Sequence, residues 1–373
     1  MLDANTPAKP VVPVAGKTIL SGSDQDTGKT AKALLLGIDL GTSRSSVVSY
    51  NGTRKTVETY VGFPKDAVSR KFLGTDVVFG KAALDNRLAL ELYRPLEHGV
   101  VKGSEDANND PTRREKNLQA AKLLLKYLVD LASPGRDEMI YGVIGVPSRA
   151  TQKNKQAILE IARQVLDSVM IVSEPFTVAY GMDKMADILV IDIGAGTTDL
   201  CRMHGTVPTD EDEVSYSIAG DAIDAKLLEL IMNRFPRAQI TQNMCKTIKE
   251  QYGFVSDTKD RVIVTFPEDG KPSQHDITDD VRQACEILVH PCVEGIQKLV
   301  STFNPEFQER LRQNVLLSGG GGLMRGLNKR IEDAMKEYGG ARVTVVDEPL
   351  YAGANGALQL AVDMPGEYWQ QLR

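Results

Sequence analysis

Two short stretches of the chain carry the residue types that could hold a phosphate group and a metal ion. The first, Asp192–Asp199, reads DIGAGTTD and follows the apolar run ILVI. The apolar run predicts a buried strand, and two glycines one residue apart let the backbone turn sharply and bring N–H groups close to a ligand. Asp192, at the end of that strand, is therefore a candidate ligand for a metal ion or its waters.

The same order of residue types occurs about half a chain earlier. Leu34–Ser43 reads LLLGIDLGTS, so Asp39 ends an apolar run and Gly41, Thr42 and Ser43 follow it. One such copy is explained equally well by a glycine turn in a β-hairpin with a capping aspartate. Two copies predict two related halves, each presenting an aspartate and a phosphate-binding loop to one shared cleft.

Two further stretches are built from small residues. Val315–Gly322 reads VLLSGGGG, a predicted buried strand that breaks into four successive glycines. Because each glycine adds to the entropy lost on folding, such a run is expected only where a ligand or another backbone approaches closely. Tyr351–Ala357 opens the last predicted helix with the small residues of YAGANGA, which is typical of a helix at a domain junction, although ordinary helix packing explains it equally well.

Composition limits the functions that the chain can have. The length of 373 residues predicts two lobes, and a net charge of −6 argues against a broad nucleic-acid surface. The four cysteines form no CxxC pair and the four histidines form no ligand cluster with them, which argues against structural zinc and disulfides. Without a secretory signal or an apolar run of the roughly 20 residues that cross a membrane, we expect a soluble, cytoplasmic protein.

The pattern along the chain predicts alternating strands and helices. Residues 1–32 are rich in proline and polar residues and predict a flexible extension; its GSDQDTGKT segment lacks the glycine spacing and the preceding strand of a P-loop. Asn51-Gly52 predicts a hairpin. Residues 278–303 predict a long helix interrupted at Pro291, and the acidic segment Thr209–Glu213 predicts a solvated turn.

In this order, the motifs resemble those of the superfamily of actins, sugar kinases and heat-shock-chaperone ATPases. GIDLGTS at 37–43 and DIGAGTTD at 192–199 look like its two phosphate motifs, and LLSGGGG at 316–322 looks like its adenosine motif. Residues 144–147 and 352–357 look like its two connecting segments. The resemblance covers about residues 33–363.

Within this superfamily the chain is most similar to bacterial actins of the MreB type, and among these to the MamK group that aligns magnetosomes. The matching segments are RPLEHGVV (94–101), GVPSRAT (145–151), SEP (173–175), AGD (219–221) and IKEQYG (248–253). MreB proteins commonly carry an N-terminal amphipathic helix or an exposed apolar loop for membrane contact, and neither is evident here. This difference favours a cytoplasmic filament over a cell-shape filament at the membrane, which stays the alternative.

The resemblance implies an α/β fold of the actin-like (ribonuclease H-like) type, duplicated into two lobes around a nucleotide cleft. Residues 33–173 would form the first lobe, with a small subdomain at about 63–98. Residues 174–345 would form the second lobe, with a small subdomain at about 219–285. Residues 346–373 would form a C-terminal helix that returns to the first lobe.

The resemblance also implies ATP or ADP with Mg²⁺ as cofactors, and assigns residues to them. Mg²⁺ would be held by Asp39 and Asp192. The phosphates would be gripped from opposite sides by Gly41, Thr42 and Ser43 and by Gly194, Ala195, Gly196 and Thr197. The adenosine would lie against Gly319, Gly320 and Gly321, with Lys249 and Glu250 on the other wall. Gly220, Asp221 and Leu323 would also bind the cofactor. Catalysis would fall to Glu174, Asp192 and Thr197.

Glu174 is expected to position the water that attacks the γ-phosphate, since it lies where bacterial actins place a glutamate with that role. Without the resemblance, a glutamate at a helix N-terminus is explained by electrostatics alone. The implied partners are further copies of the same chain in a filament, together with magnetosome-associated adaptor proteins. A nucleotide-binding scaffold that polymerises without turnover is disfavoured by Glu174.

Two other functions of the same fold remain alternatives. A small-molecule kinase would need a pocket for its acceptor, and the sequence shows no cluster suited to grip a sugar. A chaperone ATPase would need a peptide-binding domain after the two lobes. Fold alone does not separate these functions, and the sequence does not distinguish ATP from GTP.

Overall fold

The computed structural model describes residues 33–97, 100–102, 111–257 and 259–372. The predicted flexible extension, residues 1–32, lies outside the described residues, and so does its GSDQDTGKT segment. None of the helices in the described ranges combines the length and the apolar character needed to cross a lipid bilayer.

The described residues form alternating strands and helices. The strands are β1 (Ala33–Leu40), β2 (Arg44–Ser49), β3 (Arg54–Glu58), β4 (Val61–Pro64), β5 (Val78–Phe79), β6 (Leu90–Tyr93), β7 (Leu96–Glu97), β8 (Val100–Val101), β9 (Met139–Val146), β10 (Ser168–Ser173), β11 (Ala186–Ile193), β12 (Thr198–His204), β13 (Glu213–Tyr216), β14 (Ile263–Glu268), β15 (Lys271–Asp276), β16 (Val315–Ser318) and β17 (Val343–Val345). The α-helices are α1 (Ala67–Leu73), α2 (Gly80–Asp85), α3 (Pro111–Leu131), α4 (Gln152–Ala162), α5 (Glu174–Gly181), α6 (Gly220–Arg234), α7 (Gln242–Tyr252), α8 (Thr278–Glu286), α9 (Val289–Ser301), α10 (Gln308–Gln313), α11 (Leu327–Ala334), α12 (Ala352–Asp363) and α13 (Gly366–Gln371).

Two five-stranded sheets share one topology. The first sheet has the strand order β10-β9-β1-β2-β3. The second sheet, read from its edge strand β17, has the order β17-β16-β11-β12-β13. In each sheet the central strand pairs in parallel with one neighbour and antiparallel with the other. The predicted duplication of an α/β unit is therefore confirmed, and β1 is the counterpart of β11.

The central strands form because their apolar runs are buried on both sides. In β11 the adjacent residues Val190 and Ile191 point to opposite faces and are both completely buried, and in β1 Leu36 and Ile38 are completely buried on one face. Strands covered on both faces are expected to read as continuous apolar runs rather than as alternating ones. The hairpin predicted at Asn51-Gly52 is present, with β2 and β3 antiparallel on either side of it.

Each large sheet has a smaller unit beside it in the chain. After β3, the strands β4, β5 and β6 form a three-stranded sheet with the short helices α1 and α2. After β13, the helices α6, α7 and α8 accompany the β14–β15 hairpin. The exact boundaries of the lobes and subdomains stay predictions.

The contact between helices α5 and α12 brings two backbones unusually close together. Gly181 at the end of α5 faces Gly356 in α12, and a β-carbon built on Gly181 would lie 2.6 Å from the Gly356 Cα. A β-carbon built on Gly356 would overlap the carbonyl group of Thr177. The small residues at the start of α12 thus serve close helix packing.

Substitution of Gly356 by alanine is expected to destabilise the fold. The added methyl group must displace the α5 backbone, and overpacking of this kind costs about 1–3 kcal/mol, which exceeds the gain of about 1 kcal/mol in helix propensity. Thermal unfolding measures the change. Gly135→Ala is the matched control, because the new methyl group there meets only the Glu138 side chain. An equally small effect of both substitutions would contradict the interpretation.

The helical region predicted for residues 278–303 is interrupted earlier than expected. The break between α8 and α9 falls at Ile287 and Leu288, and Pro291 is the third residue of α9. Proline is tolerated in the first turn of a helix, because the N–H groups there have no intrahelical acceptor. The predicted interruption at Pro291 was therefore wrong.

The acidic segment Thr209–Glu213 is only partly the solvated turn that the sequence predicted: Thr209, Asp210 and Glu211 are exposed in a 3-10 turn, and the last two residues are not. Asp212 and Glu213 are buried, and Asp212 Oδ1 accepts a hydrogen bond from Nε of the buried Arg202 at 2.8 Å. Arg202 comes from β12, ten residues earlier in the chain. A buried carboxylate is tolerated only with such a partner, which a charge pattern along the sequence does not reveal.

Candidate functional site

The two predicted metal ligands occupy equivalent positions in the two sheets. Asp39 is the next-to-last residue of β1, and Asp192 is the next-to-last residue of β11. In the parallel register, Asp39 lies beside Gly145 of β9 and Asp192 lies beside Ser318 of β16. The repeated strand-and-aspartate pattern thus has a structural counterpart at the same point of each half.

The two predicted phosphate loops are the tight turns that follow these strands. Gly41, Thr42 and Ser43 connect β1 to β2, and Thr42 and Ser43 are buried. The turn from β11 to β12 contains Gly194, Ala195, Gly196 and Thr197, and the Gly194 N–H donates to the Thr197 carbonyl oxygen at 2.9 Å. Both loops are therefore held in place by their sheets.

Helix α6 begins directly against the second loop. The N–H groups of Gly220 and Asp221 donate to the carbonyl oxygens of Gly194 at 3.2 Å and of Ala195 at 2.7 Å. Lys249 Nζ donates to the Gly220 carbonyl oxygen at 2.7 Å. This arrangement attaches the start of α6 to the second loop, so a shift of one moves the other.

Each charged residue predicted to bind the nucleotide also has a protein partner. Lys249 pairs with Asp224 at 2.7 Å, Glu250 pairs with Arg44 at 2.7 Å, and Asp221 pairs with Arg94. Arg44 belongs to the first half of the chain, and so does Arg94. Asp221 and Glu250 therefore join the two halves in addition to any contact with a ligand.

Four carboxyl groups converge where the two halves meet. Asp39 and Asp192 end their strands, Asp199 lies beside Asp192 in the antiparallel register of β11 and β12, and Glu174 is the first residue of α5. Asp199 Oδ1 accepts a hydrogen bond from the backbone N–H of Ser148, which follows β9 in the first half, at 3.1 Å. Glu174, Asp192 and Asp199 are all buried.

Burial and mutual repulsion raise the pKa values of this carboxylate cluster. Desolvation raises the pKa of Asp39 to about 6 and that of Asp199 to about 6. Burial, followed by the charges of Asp39 and Asp199, raises the pKa of Asp192 to about 8. Burial and the charges of the three aspartates raise the pKa of Glu174 well above its ordinary value. Such a cluster needs protons or a cation to offset its charge.

The residues at this cluster fit a hydrated divalent cation. Asp192 Oδ1 is buried and has no hydrogen-bond partner, which leaves it available to a metal ion or to a water bound to one. Within the described ranges, no group of three or more acidic, histidine or cysteine side chains could by itself enclose a metal ion. Mg²⁺ suits this arrangement, because it keeps several waters and needs only one or two carboxylates.

The four-glycine run is approached closely by β11, which is one of the two explanations that the sequence allowed. A β-carbon on Gly319 would collide with the Ile193 backbone and the Asp192 carboxylate, and one on Gly321 would collide with the Ile193 side chain. Close approach to β11 therefore accounts for these two glycines. Gly320 has no such neighbour, and Leu323 is 56% exposed.

A cavity of about 760 Å³ lies elsewhere, between α8 and α11. Its charged side chains are largely paired with one another: Arg282 lies 3.2 Å from Asp279 and Arg330 lies 2.6 Å from Glu286. Its described lining contains no glycine loop comparable to those that follow β1 and β11. The phosphate-binding chemistry therefore points to the cleft rather than to this cavity.

Sequence reasoning missed two cationic residues at the first loop. Arg94 Nε donates to the Thr42 carbonyl oxygen at 2.8 Å, and Lys246 Nζ donates to Ser43 Oγ at 2.5 Å. Lys246 precedes Lys249 by three residues, so helical periodicity places both on one side of α7 and could have indicated it. Arg94 opens the RPLEHGVV segment that carries the resemblance, but nothing in that segment places it at the first loop.

The chain contains two copies of one α/β unit, and each copy presents a glycine turn and an aspartate to a shared cleft. This arrangement defines a protein of the actin-like fold class. A family model described as MreB/Mbl protein matches residues 33–366. The chain belongs to this family of actin-like proteins.

Individual relatives agree with this assignment. The chain is 39% identical over 345 residues to the actin-like protein MamK of Paramagnetospirillum magneticum, covering 92% of this chain and 97% of that protein. A MamK double helical filament superposes with a TM-score of 0.85 at 38% identity, covering 90% of this chain and 100% of the filament chain. A non-polymerising MamK mutant bound to AMPPNP superposes with a TM-score of 0.67 at 38% identity, with coverages of 89% and 100%.

Proposed function

We propose that the protein binds ATP and ADP with Mg²⁺ in the cleft between its two halves and hydrolyses ATP. The observation that carries the proposal is the convergence of two equivalent glycine turns and four acidic side chains at one point. The glycine turns supply N–H groups and hydroxyls for phosphates, and the acidic cluster needs a cation. The AMPPNP bound to the MamK mutant supports nucleotide binding by this chain.

The roles of the site residues are proposed as the sequence assigned them. Asp39 and Asp192 hold the hydrated Mg²⁺, whose charge neutralises the phosphates. The turns at 41–43 and 194–197 bind the phosphates through their N–H groups and hydroxyls, and Thr197 also takes part in catalysis. The adenosine would lie between Lys249 and Glu250 on one wall and Gly319, Gly320 and Gly321 on the other, and Gly220, Asp221 and Leu323 would complete the cofactor site.

Glu174 is the proposed catalytic base. A water molecule attacks the γ-phosphorus, the bond to the β–γ bridging oxygen breaks, and Glu174 accepts the proton that the water loses. The products are ADP and inorganic phosphate. Because its pKa is raised by burial and by neighbouring carboxylates, ionised Glu174 is a stronger base than an exposed glutamate.

We further propose that the protein polymerises into cytoskeletal filaments in the cytoplasm and that these organise or position magnetosomes, through adaptor proteins. The chain superposes more closely on the MamK filament subunit than on the non-polymerising mutant, at nearly equal coverage. Head-to-tail contacts between unlike faces produce open filaments when the rotation does not close a ring.

Assembly is tested by pelleting and negative-stain microscopy with ATP, with AMPPNP, with ADP and without nucleotide. We expect filaments with ATP and AMPPNP, and few or none without nucleotide, because nucleotide closes the cleft into the form that assembles. Nucleotide binding is measured separately by equilibrium dialysis. Protein that binds ATP but forms no filaments in any condition would contradict self-assembly while leaving the nucleotide site intact.

A further inference from the structure

The opposite half of the molecule is linked to three consecutive residues: Thr42 and Ser43 of the first loop, Thr42 by way of Arg94, and Arg44, the first residue of β2. The Thr42 carbonyl oxygen accepts from Arg94, whose Nη2 lies 2.5 Å from Asp221 Oδ2 at the start of α6. The next two residues are linked directly to α7, the helix that contains Lys246 and Glu250. Lys246 Nζ lies 2.5 Å from Ser43 Oγ, and Arg44 Nη2 lies 2.7 Å from Glu250 Oε2. We call these three links the interlobe clasp.

The clasp joins the two walls of the cleft at the position proposed for the nucleotide. On one side it holds the loop assigned to phosphate, and on the other it holds Asp221 and Glu250, which are assigned to the nucleotide site. The linked residues are 127 to 206 positions apart in the chain, so no local backbone geometry keeps them together. A nucleotide enclosed between these walls leaves only after the walls separate, and separation breaks the links.

Lys246 has a specific chemical effect on Ser43. A serine hydroxyl has one proton to donate and two lone pairs to accept with. An ammonium group can only donate, so Ser43 Oγ accepts from Lys246 and keeps its own proton for another acceptor. A phosphate oxygen is such an acceptor, and the positive charge of Lys246 strengthens the hydroxyl as a donor.

We propose that Lys246 is a positioning residue that acts through the Ser43 hydroxyl to retain bound nucleotide, and that the clasp sets the rate of nucleotide release. The inference rests on the proposed nucleotide site and adds to it a residue and a step that sequence motifs do not assign. Lys246 orients the hydroxyl and fixes the first loop to α7, and it does not contact the reacting atoms.

Dissociation of a fluorescent ATP analogue, followed by stopped flow with excess unlabelled ATP, tests the inference. Loss of a hydrogen bond from a charged donor corresponds to about a tenfold change, so Lys246→Met is expected to speed dissociation by about that factor. Lys246→Arg keeps the charge and is expected to restore most of the retention. Lys226→Met is the matched control, since Lys226 on α6 pairs with Glu229 and lies outside the clasp.

A double substitution separates positioning from general structural damage. If Lys246 acts through Ser43, then Lys246→Met causes little further change in a Ser43→Ala background, and the two effects do not add. Independent, multiplied effects would overturn the inference, and so would dissociation of Lys246→Met at the wild-type rate. Failure of the wild-type protein to bind the analogue would instead refute the proposed nucleotide site, and the inference with it.

Discussion

Replacement of Glu174 by alanine is expected to slow phosphate release from ATP by roughly 10² or more, because water positioning and proton acceptance are both lost. Binding of ATP is expected to persist, since the phosphates contact the two glycine turns rather than this carboxylate. Filaments are expected to form as well and to disassemble more slowly, because the loss of the γ-phosphate is what releases the closed form.

Two assays on one preparation measure these effects. A coupled absorbance assay follows phosphate release, and light scattering with pelleting follows assembly and disassembly. Glu160→Ala is the matched control, because Glu160 is an exposed glutamate of α4 whose carboxylate accepts from the neighbouring Gln156. That control is expected to retain phosphate release within a few-fold of the wild-type rate.

Specific outcomes would change the interpretation of Glu174. Normal phosphate release by Glu174→Ala would remove this residue from the mechanism. A folded variant that binds ATP but neither hydrolyses it nor assembles would show that hydrolysis is needed to build the filament, and the proposed order of events would be wrong.

The second large effect is expected at Asp192. Asp192→Ala is expected to abolish Mg²⁺-dependent ATP turnover and to weaken nucleotide binding, because it removes one of the two carboxylates proposed to hold the metal. Phosphate release across a Mg²⁺ titration measures this. Unchanged Mg²⁺-dependent turnover in a folded Asp192→Ala protein would refute the shared cleft.

Asp192 also predicts a pH effect on stability without metal or nucleotide. Its pKa rises from 3.8 to about 8 on folding, so its stabilising contribution is complete below the unfolded pKa and is lost as the pH rises through the folded pKa. Between pH 6 and pH 9 a shift of this size corresponds to about 2–3 kcal/mol. The side-chain amide of an Asp192→Asn variant stays neutral and avoids this loss.

Thermal unfolding at the two pH values tests the sign. The midpoint of Asp192→Asn relative to wild type is expected to be higher at pH 9 than at pH 6 by a few degrees, about 3 °C or more. Asp130→Asn is the control, because Asp130 is exposed and pairs with Lys126 on the surface of α3. A constant difference across the pH range would show that Asp192 is not a buried carboxyl of raised pKa.

The duplicated architecture could be predicted because its signals are local. An apolar run, an aspartate and a glycine turn lie within about ten residues of one another at Asp39 and again at Asp192, and the backbone turns there for reasons contained in those residues. The order of motifs likewise sufficed to identify the actin-like family. The roles of the individual site residues stay predictions, although the structure brings both aspartates, both turns and Glu174 to one cleft.

Other features were misjudged because their causes are distant in the chain or depend on helix position. The burial of Asp212 depends on Arg202 in the neighbouring strand β12, and a local charge count sees only an acidic loop. Pro291 was expected to break a helix, whereas its place in the first turn of α9 makes it harmless. The glycine run was expected where a ligand or another backbone approaches, and only the structure shows that β11 lies this close to Gly319 and Gly321.

The sequence alone determined that this protein has two related halves, a phosphate loop and an aspartate in each, and the actin-like family to which it belongs, because short-range residue order specifies all of these. Only the tertiary structure decided which charges meet across the cleft. The link between Arg44 and Glu250 joins residues 206 positions apart, and the raised pKa of Asp192 comes from burial and from neighbours on other strands. Contacts and electric fields depend on distances in space, and those exist only after the chain has folded.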